Sequence, residues 1–189
     1  MKIGRLLVRL VVGGAFIGHG TQKLFGWFGG HGRENTADMF EQLGLRPGRQ
    51  HALAAGIAET SGGALLLAGL ATPLAASTLT ATMLTAISRV HLKNGPWLAN
   101  GGYEYNAVLI AAALALAEVG PGPLSIDSAL GDKLHGSGWA LAALAGGIAG
   151  AAGAHLYAES QNSQLPPPPE STVEASSAEQ AAAGRVRQT

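Results

Sequence analysis

Five stretches of this chain read as lipid-crossing helices, and they decide its class before any motif is considered. A crossing needs about 20 mostly apolar residues. Residues 4–25 qualify, provided that Arg5 and Arg9 near their start snorkel or pair. Residues 52–71, "ALAAGIAETSGGALLLAGLA", carry a single acid, Glu59. Residues 73–92 are weakened by Thr, Ser and Arg89, residues 104–120 are short but strongly apolar, and residues 137–157 are mostly Ala and Gly. Composition agrees: 47% of the 189 residues are hydrophobic and 13% are charged, against about 25% charged in soluble domains. The 28 glycines suit helices that approach closely within a bilayer. The expected fold is all-α, an integral membrane helical bundle with four core transmembrane helices plus a fifth.

Lys2, Arg5 and Arg9 resemble the start of a signal peptide, but His19 and Lys23 stand where a small-residue cleavage site is required, so the first helix is read as retained. Residues 26–50 are too polar for lipid. Within them "ENTADMFEQLGLRPG" predicts a short amphipathic helix capped by Asn35 or Thr36, with Met39, Phe40 and Leu43 on one face and Gly44 and Pro47 ending it. Such a helix lies on the membrane surface or covers the mouth of the bundle. Ala71-Thr72-Pro73 predicts a tight hairpin, and "KNGPWLANGGYEY" a connection rich in turns. After residue 159, four consecutive prolines and a Ser-, Glu- and Ala-rich stretch predict a disordered tail entered through a stiff spacer. The expected organisation is a core over 1–126 with its polar loop 26–50, a linker and fifth helix over 127–158, and a tail over 159–189. Basic residues are nearly balanced between the two sides, so no orientation follows.

Zero net charge removes any global field toward nucleic acid. The absence of Cys excludes disulfides, thiolate metal sites and a Cys nucleophile. His19 and His91 are able to ligate haem or a metal, yet no HxxxH pattern or nearby carboxylate accompanies them; no metal site is expected and haem is disfavoured. On a helical net Arg5, Arg9, Phe16, His19 and Lys23 share one stripe. Charged groups in a membrane helix face the interior or a watery cavity because exposure to hydrocarbon is expensive. Glu59 and Arg89 therefore pair with each other, pinning helix register, or bind a small molecule or carry protons; pairing with His19 or Lys23 is a further option. Lys23 with Phe25 and Trp27 reads as an interfacial anchor. Gly14 and Gly18 form a small-residue pair for helix contact, and Gly146 and Gly150 read as packing contacts. His31, His51, His135 and His155 receive no role.

Together, "HGTQKLFGWFGG" after an arginine-led helix, "GIAETSGGALLLAGLATPLAA", "RVHLKNGPW" and "NGGYEY" resemble the DoxX family of bacterial membrane proteins over residues 4–126. The resemblance implies a multi-pass protein of the bacterial cytoplasmic membrane. It also implies a binding pocket of His19, Gln22, Lys23, Glu59, Arg89, His91, Asn94, Tyr103 and Glu104, with Gly101 and Gly102 in its loop. By the same resemblance the protein is a membrane subunit or anchor of a redox system, linked to quinone or a sulfur compound and without autonomous catalysis. Quinone is the cofactor so implied, and a soluble oxidoreductase or sulfurtransferase the partner. No nucleophile–base arrangement names a catalytic residue. The alternatives are a small permease or metabolite carrier whose buried ions form the substrate path, and a purely structural membrane protein. The pocket is expected at the end that carries loop 26–50, with Glu59 as its floor and the opposite half of the bundle dry.

Overall fold

The computed structural model describes residues 2–131 and 133–165. The chain runs through α1 (Lys2–Phe25), a 3-10 turn (Trp27–Gly29), α2 (Gly32–Gln42), α3 (Gly48–Ala68) and α4 (Thr72–Ala86), which passes into a π turn (Ile87–His91). After two 3-10 turns follow α5 (Glu104–Val119), α6 (Ile126–Ala129) and α7 (Ser137–Asn162), with no strand among the described residues. The tail expected after residue 159 lies outside the described residues from 166 onward, and α7 itself continues to Asn162.

Helix ends follow local chemistry. Gly69 adopts φ 63° at the close of α3, and its N–H returns to the carbonyls of Leu65 and Leu66. This is the left-handed stop that glycine supplies at no steric cost. Ala71, at φ 47°, has no such freedom and is held by Asp127 of α6. Asp127 Oδ1 accepts from the Ala71 N–H at 2.8 Å, and Oδ2 accepts from Thr72 N and Oγ1 at 3.2 and 3.0 Å. A carboxylate 55 residues away thereby caps the positive end of α4, as an N-cap side chain would from within the helix. The amphipathic α2 begins at Gly32, earlier than the expected Asn35 or Thr36 cap, and Thr36 instead donates to the Gly32 carbonyl inside the helix.

Helices α1 and α3 pack antiparallel through glycines. A Cβ on Gly13 would lie 2.7 Å from Gly63 O, and one on Gly20 would meet Thr60 and Gly56. The expected pair Gly14 and Gly18 is a correction: a Cβ on either meets nothing within 4 Å. The seven-residue spacings Gly13/Gly20 and Gly56/Gly63, not a four-residue one, put small residues on the shared face. α4 lies between α3 and α5, and α7 lies on α4 and α5. Gly146 meets Ser77 and Gly150 meets Ala81, so α7 runs parallel to α4 and the packing role read for these glycines is what the fold uses. Val12, Phe16, Leu66, Leu79, Met83, Leu109 and Leu116 make the core.

The half of the bundle expected to be dry is not. Arg9 is only 3% exposed and donates to four carbonyls: Leu66 O (3.1 Å), Leu67 O (2.6 Å), Pro121 O (3.0 Å) and Leu124 O (2.7 Å). Arg5 donates to Val119 O at 2.8 Å, at the end of α5. The last carbonyls of a helix lack intrahelical partners, and a guanidinium carries five donors to satisfy them. The two arginines thus join the ends of α3 and α5, which sequence spacing within α1 cannot reveal.

By length and apolarity α1 and α7 are able to cross a membrane, and only 28% and 17% of their apolar windows are buried, unlike core helices of a soluble domain. The expected spans 52–71, 73–92 and 104–120 do not pass by that measure. α4 and α5 have 15 and 16 residues, and Gln50, His51 and Glu59 dilute α3.

Candidate functional site

At the end of the bundle bearing α2, a cavity of about 610 Å³ is bounded by α1, α2, α3, α4, α5 and α7. Its lining runs from buried residues to exposed ones. The interior part is enclosed by Phe16, Glu59, Met83, Asn106 and Leu109, all buried. The outer part is a groove between α3 and α7 over the face of α4, floored by Ala54, Ala58, Ala81, Thr85, Gly150 and Ala154. Ala54 and Gly150 are exposed, so this groove opens outward.

On the interior wall Lys23 Nζ lies 2.6 Å from Glu59 Oε2, with side-chain exposures of 22% and 6%. Lys23 also donates to His19 O at 3.4 Å. Glu59 therefore pairs with Lys23, one of the options its sequence context left open, and not with Arg89. Arg89 makes no ion pair among the described residues, and its buried Nε has no hydrogen-bond partner. The π turn widens the last turn of α4, and Arg89, Val90 and His91 all line the cavity. π turns of this kind recur at functional sites. His91 Nδ1 lies 2.7 Å from Gly101 O. A carbonyl only accepts, so Nδ1 carries a proton.

The site expected from sequence divides accordingly. His19, Lys23, Glu59, Arg89 and His91 line the large cavity. Gln22 lines a smaller one of about 180 Å³, bounded also by His19, Lys23, Gly29, Gly30 and His31, and Gln22 Oε1 lies 3.1 Å from His19 Nδ1. Asn94, Tyr103 and Glu104 line neither cavity. They fold the connection before α5: Asn94 Nδ2 donates to Gly101 O (3.2 Å), Tyr103 N to Gly95 O (3.2 Å), and Leu98 N to Glu104 Oε1 (2.6 Å). Of the "NGGYEY" segment it is Gly102, Tyr105 and Asn106 that reach the cavity.

A DoxX family pattern matches residues 4–92. A protein of Bacillus subtilis (strain 168) named "Putative oxidoreductase CatD" is 34% identical over 115 residues, which are 61% of this chain and 79% of that protein. The chain belongs to the DoxX family. No solved structure matches it.

Sequence reasoning on this DoxX protein missed two cavity residues. His51 was given no role, yet it lines the cavity, is 8% exposed and leaves Nε2 without a partner. Its signal was present: His51, Ala55 and Glu59 fall at successive i+4 positions of α3 and share a face. Asn106 is buried and donates to Met83 Sδ at 3.3 Å; it is a polar residue on the buried stripe of α5 with Leu109, Ala113 and Leu116. Above the cavity, Met39 and Phe40 make α2 a cover. Arg49 of α3 ties it down by donating to Glu34 Oε1 at 3.0 Å, a hydrogen bond that holds the Glu34 carboxyl below its ordinary pKa.

Proposed function

We propose that this DoxX protein is a multi-pass subunit of a redox system in the bacterial cytoplasmic membrane and that the interior part of its cavity binds a quinone-class molecule. The bilayer reading is supported by the family, a family of membrane proteins, and by the outward faces of the helices. Leu7 and Val11 of α1, Ile57 of α3, Leu74 of α4, Val108 of α5 and Ile148 of α7 are exposed, and burying them in lipid is their natural sink. Phe25, Trp27, Phe28 and Trp97 are exposed at one end of the bundle, and Trp139 at the other, as in the aromatic belts of membrane interfaces. In this reading α1, α3, α4 with its π turn, α5 and α7 all cross. Residues 72–91 of α4 and its π turn reach about 30 Å at 1.5 Å per residue, and the shorter α5 is met by local thinning of the bilayer.

The observation that carries the ligand is the buried Lys23–Glu59 pair on the wall of a chamber lined mainly by apolar residues, among them Phe16, Met83 and Leu109, with His19 and Asn106 beside them. The pair is neutral as a unit and so suits an uncharged, mostly apolar molecule with a few hydrogen-bond acceptors. The donors suit quinone oxygens: Lys23 of α1 and Asn106 of α5 line the chamber from different helices. When bound, a quinone exchanges two electrons and two protons. The chain itself contributes binding, exclusion of water and a carboxylate, Glu59, able to hold a proton beside the chamber. A soluble oxidoreductase would deliver the electrons, and the relative's name agrees with that class of chemistry; a sulfurtransferase partner would instead hand that enzyme the sulfur compound it oxidises.

The test is purification in mild detergent, followed by an absorbance spectrum, identification of co-purifying proteins and titration with a short-chain quinone read by tryptophan fluorescence. Saturable quinone quenching that Lys23→Met abolishes is expected, together with a co-purifying oxidoreductase. A protein that binds no quinone, and instead carries a solute into vesicles, overturns the reading in favour of a carrier.

A further inference from the structure

The outer groove and its basic end are not used by the quinone reading, although they share its cavity. On α4 the groove follows Ser77, Ala81 and Thr85 up to Arg89, about 18 Å at 1.5 Å per residue. That depth is close to half of a hydrocarbon core of about 30 Å, the space filled by the chains of one leaflet. Its walls are small and apolar, from Ala54 and Ala58 on α3 to Gly150 and Ala154 on α7. Gly150 packs on Ala81 and closes one side, while Ala54, Ala58 and Ala154 line the open side and leave room for a flexible chain. They would not by themselves indicate one.

The second observation is the chemistry at the end of the groove. His51 of α3 is more than nine-tenths buried, lines the cavity and leaves Nε2 unpartnered. The Nε of Arg89 is likewise buried and unpartnered, and no carboxylate pairs with Arg89 among the described residues. His155 of α7 lies near enough to both for their charges to interact, and its Nε2 is 2.9 Å from Ser88 Oγ. Glu159, an acid close enough to act on His155, is exposed one turn beyond it. An uncompensated guanidinium at the rim of an apolar groove is costly without an anion to meet it, and basic pockets between membrane helices are where anionic head groups bind.

We infer that the groove between α3 and α7 holds one acyl chain of an anionic phospholipid, with the phosphate diester on Arg89 and His51. The inference rests on the membrane reading above but not on the quinone. The interior chamber, with its neutral Lys23–Glu59 pair, and the outer groove, with its free cation, select ligands of different charge.

The test reconstitutes the full chain into vesicles of phosphatidylcholine containing a minority of phosphatidylglycerol, re-extracts it in mild detergent and counts retained lipid by native mass spectrometry. One phosphatidylglycerol per protein is expected, in preference to phosphatidylcholine. Arg89→Gln should lower its retention about tenfold, the order of one charged hydrogen bond, while Arg89→Lys recovers part of it. Ala54→Leu, which fills an open part of the groove and leaves the charge untouched, should lower retention as well; Arg33→Gln, an exposed cation on α2, should not. Equal retention of the two lipids, or retention unchanged in both Arg89→Gln and Ala54→Leu, overturns the inference. So does a quinone retained in the groove at the same stoichiometry. Flotation with the vesicles reads the membrane assignment separately: a chain that does not float defeats both readings, and one that floats without phosphatidylglycerol defeats only this one.

Discussion

Replacing Lys23 by Met strands Glu59 in the bundle interior, whereas replacing Glu59 by Gln leaves Lys23 an amide partner and a route to the surface. The two substitutions should therefore differ in cost. Breaking a buried ion pair from one side costs about 3–5 kcal/mol. Glu59, 6% exposed near the middle of α3, belongs at the lower end of that range, about 3 kcal/mol, because the adjoining cavity admits some water. Lys23 is 22% exposed and sits two residues before the end of α1 at Phe25. Once freed it can bring its ammonium to the interface along its four-carbon stem, so Glu59→Gln should cost roughly 1 kcal/mol. For a chain of this size a kcal/mol moves the midpoint by about 2–4 °C. Thermal unfolding by circular dichroism in mild detergent should then show losses of about 6–12 °C for Lys23→Met and about 2–4 °C for Glu59→Gln. The double variant should be more stable than Lys23→Met alone, since it removes the stranded charge. Equal losses for the single variants, or a double variant whose loss is their sum, would refute the burial argument.

Arg9→Met removes four hydrogen bonds and leaves the carbonyls of Leu67, Pro121 and Leu124 without a donor, and should destabilise by about 3 kcal/mol or more, whereas Arg5→Gln, at the edge of the same joint, should cost about 1 kcal/mol in the same melt. Gly63→Ala drives a Cβ into Gly13 and Phe16 and should cost about 1–3 kcal/mol. Gly14→Ala, with open space around it, should be neutral or gain up to about 1 kcal/mol from helix propensity; equal effects of the two would place the α1–α3 contact elsewhere. Asp127→Ala removes three hydrogen bonds from the start of α4 and should cost about 1–2 kcal/mol, visible as faster amide exchange at Ala71 and Thr72. Because Glu34 is held below its ordinary pKa, its tie to Arg49 is present above the glutamate range near 4.3 and lost as pH falls through it. Protection of α2 amides, corrected for the intrinsic pH dependence of exchange, should therefore fall only below about pH 4, and a loss of protection at pH 6 would contradict the tie.

The long helices were legible because apolar runs of this length leave the backbone few alternatives. The segments 4–25, 104–120 and 137–157 anticipate α1, α5 and the first part of α7 to within a few residues. Met39, Phe40 and Leu43 of the amphipathic segment do face one way, into the cavity. What sequence could not carry is the pairing of side chains with distant backbone. Arg9 meets carbonyls up to 115 residues away, and Asp127 caps a helix whose first residue lies 55 positions earlier; neither leaves a periodic trace. The π turn at Ile87–His91 was hidden for a different reason. It changes hydrogen bonding within a continuous helix, and no residue type announces it. His51 shares a stripe with Glu59 and was legible from it, and Asn106 was legible as the polar residue on the apolar stripe of Leu109, Ala113 and Leu116.

Because α7 runs parallel to α4, its far end returns to the level of α2. There Asn162 donates to Gly44 O at 2.9 Å and Tyr157 to Gln50 Oε1 at 2.6 Å, while Arg5 of α1 is anchored at the other extremity beside Val119. The parity of the long helices is thus odd. In the membrane reading proposed above, α1 then begins at one face of the bilayer and α7 ends at the other, the face toward which the cavity opens. A label at Asn162 would therefore report the compartment over the cavity mouth, and a label at Arg5 the opposite one.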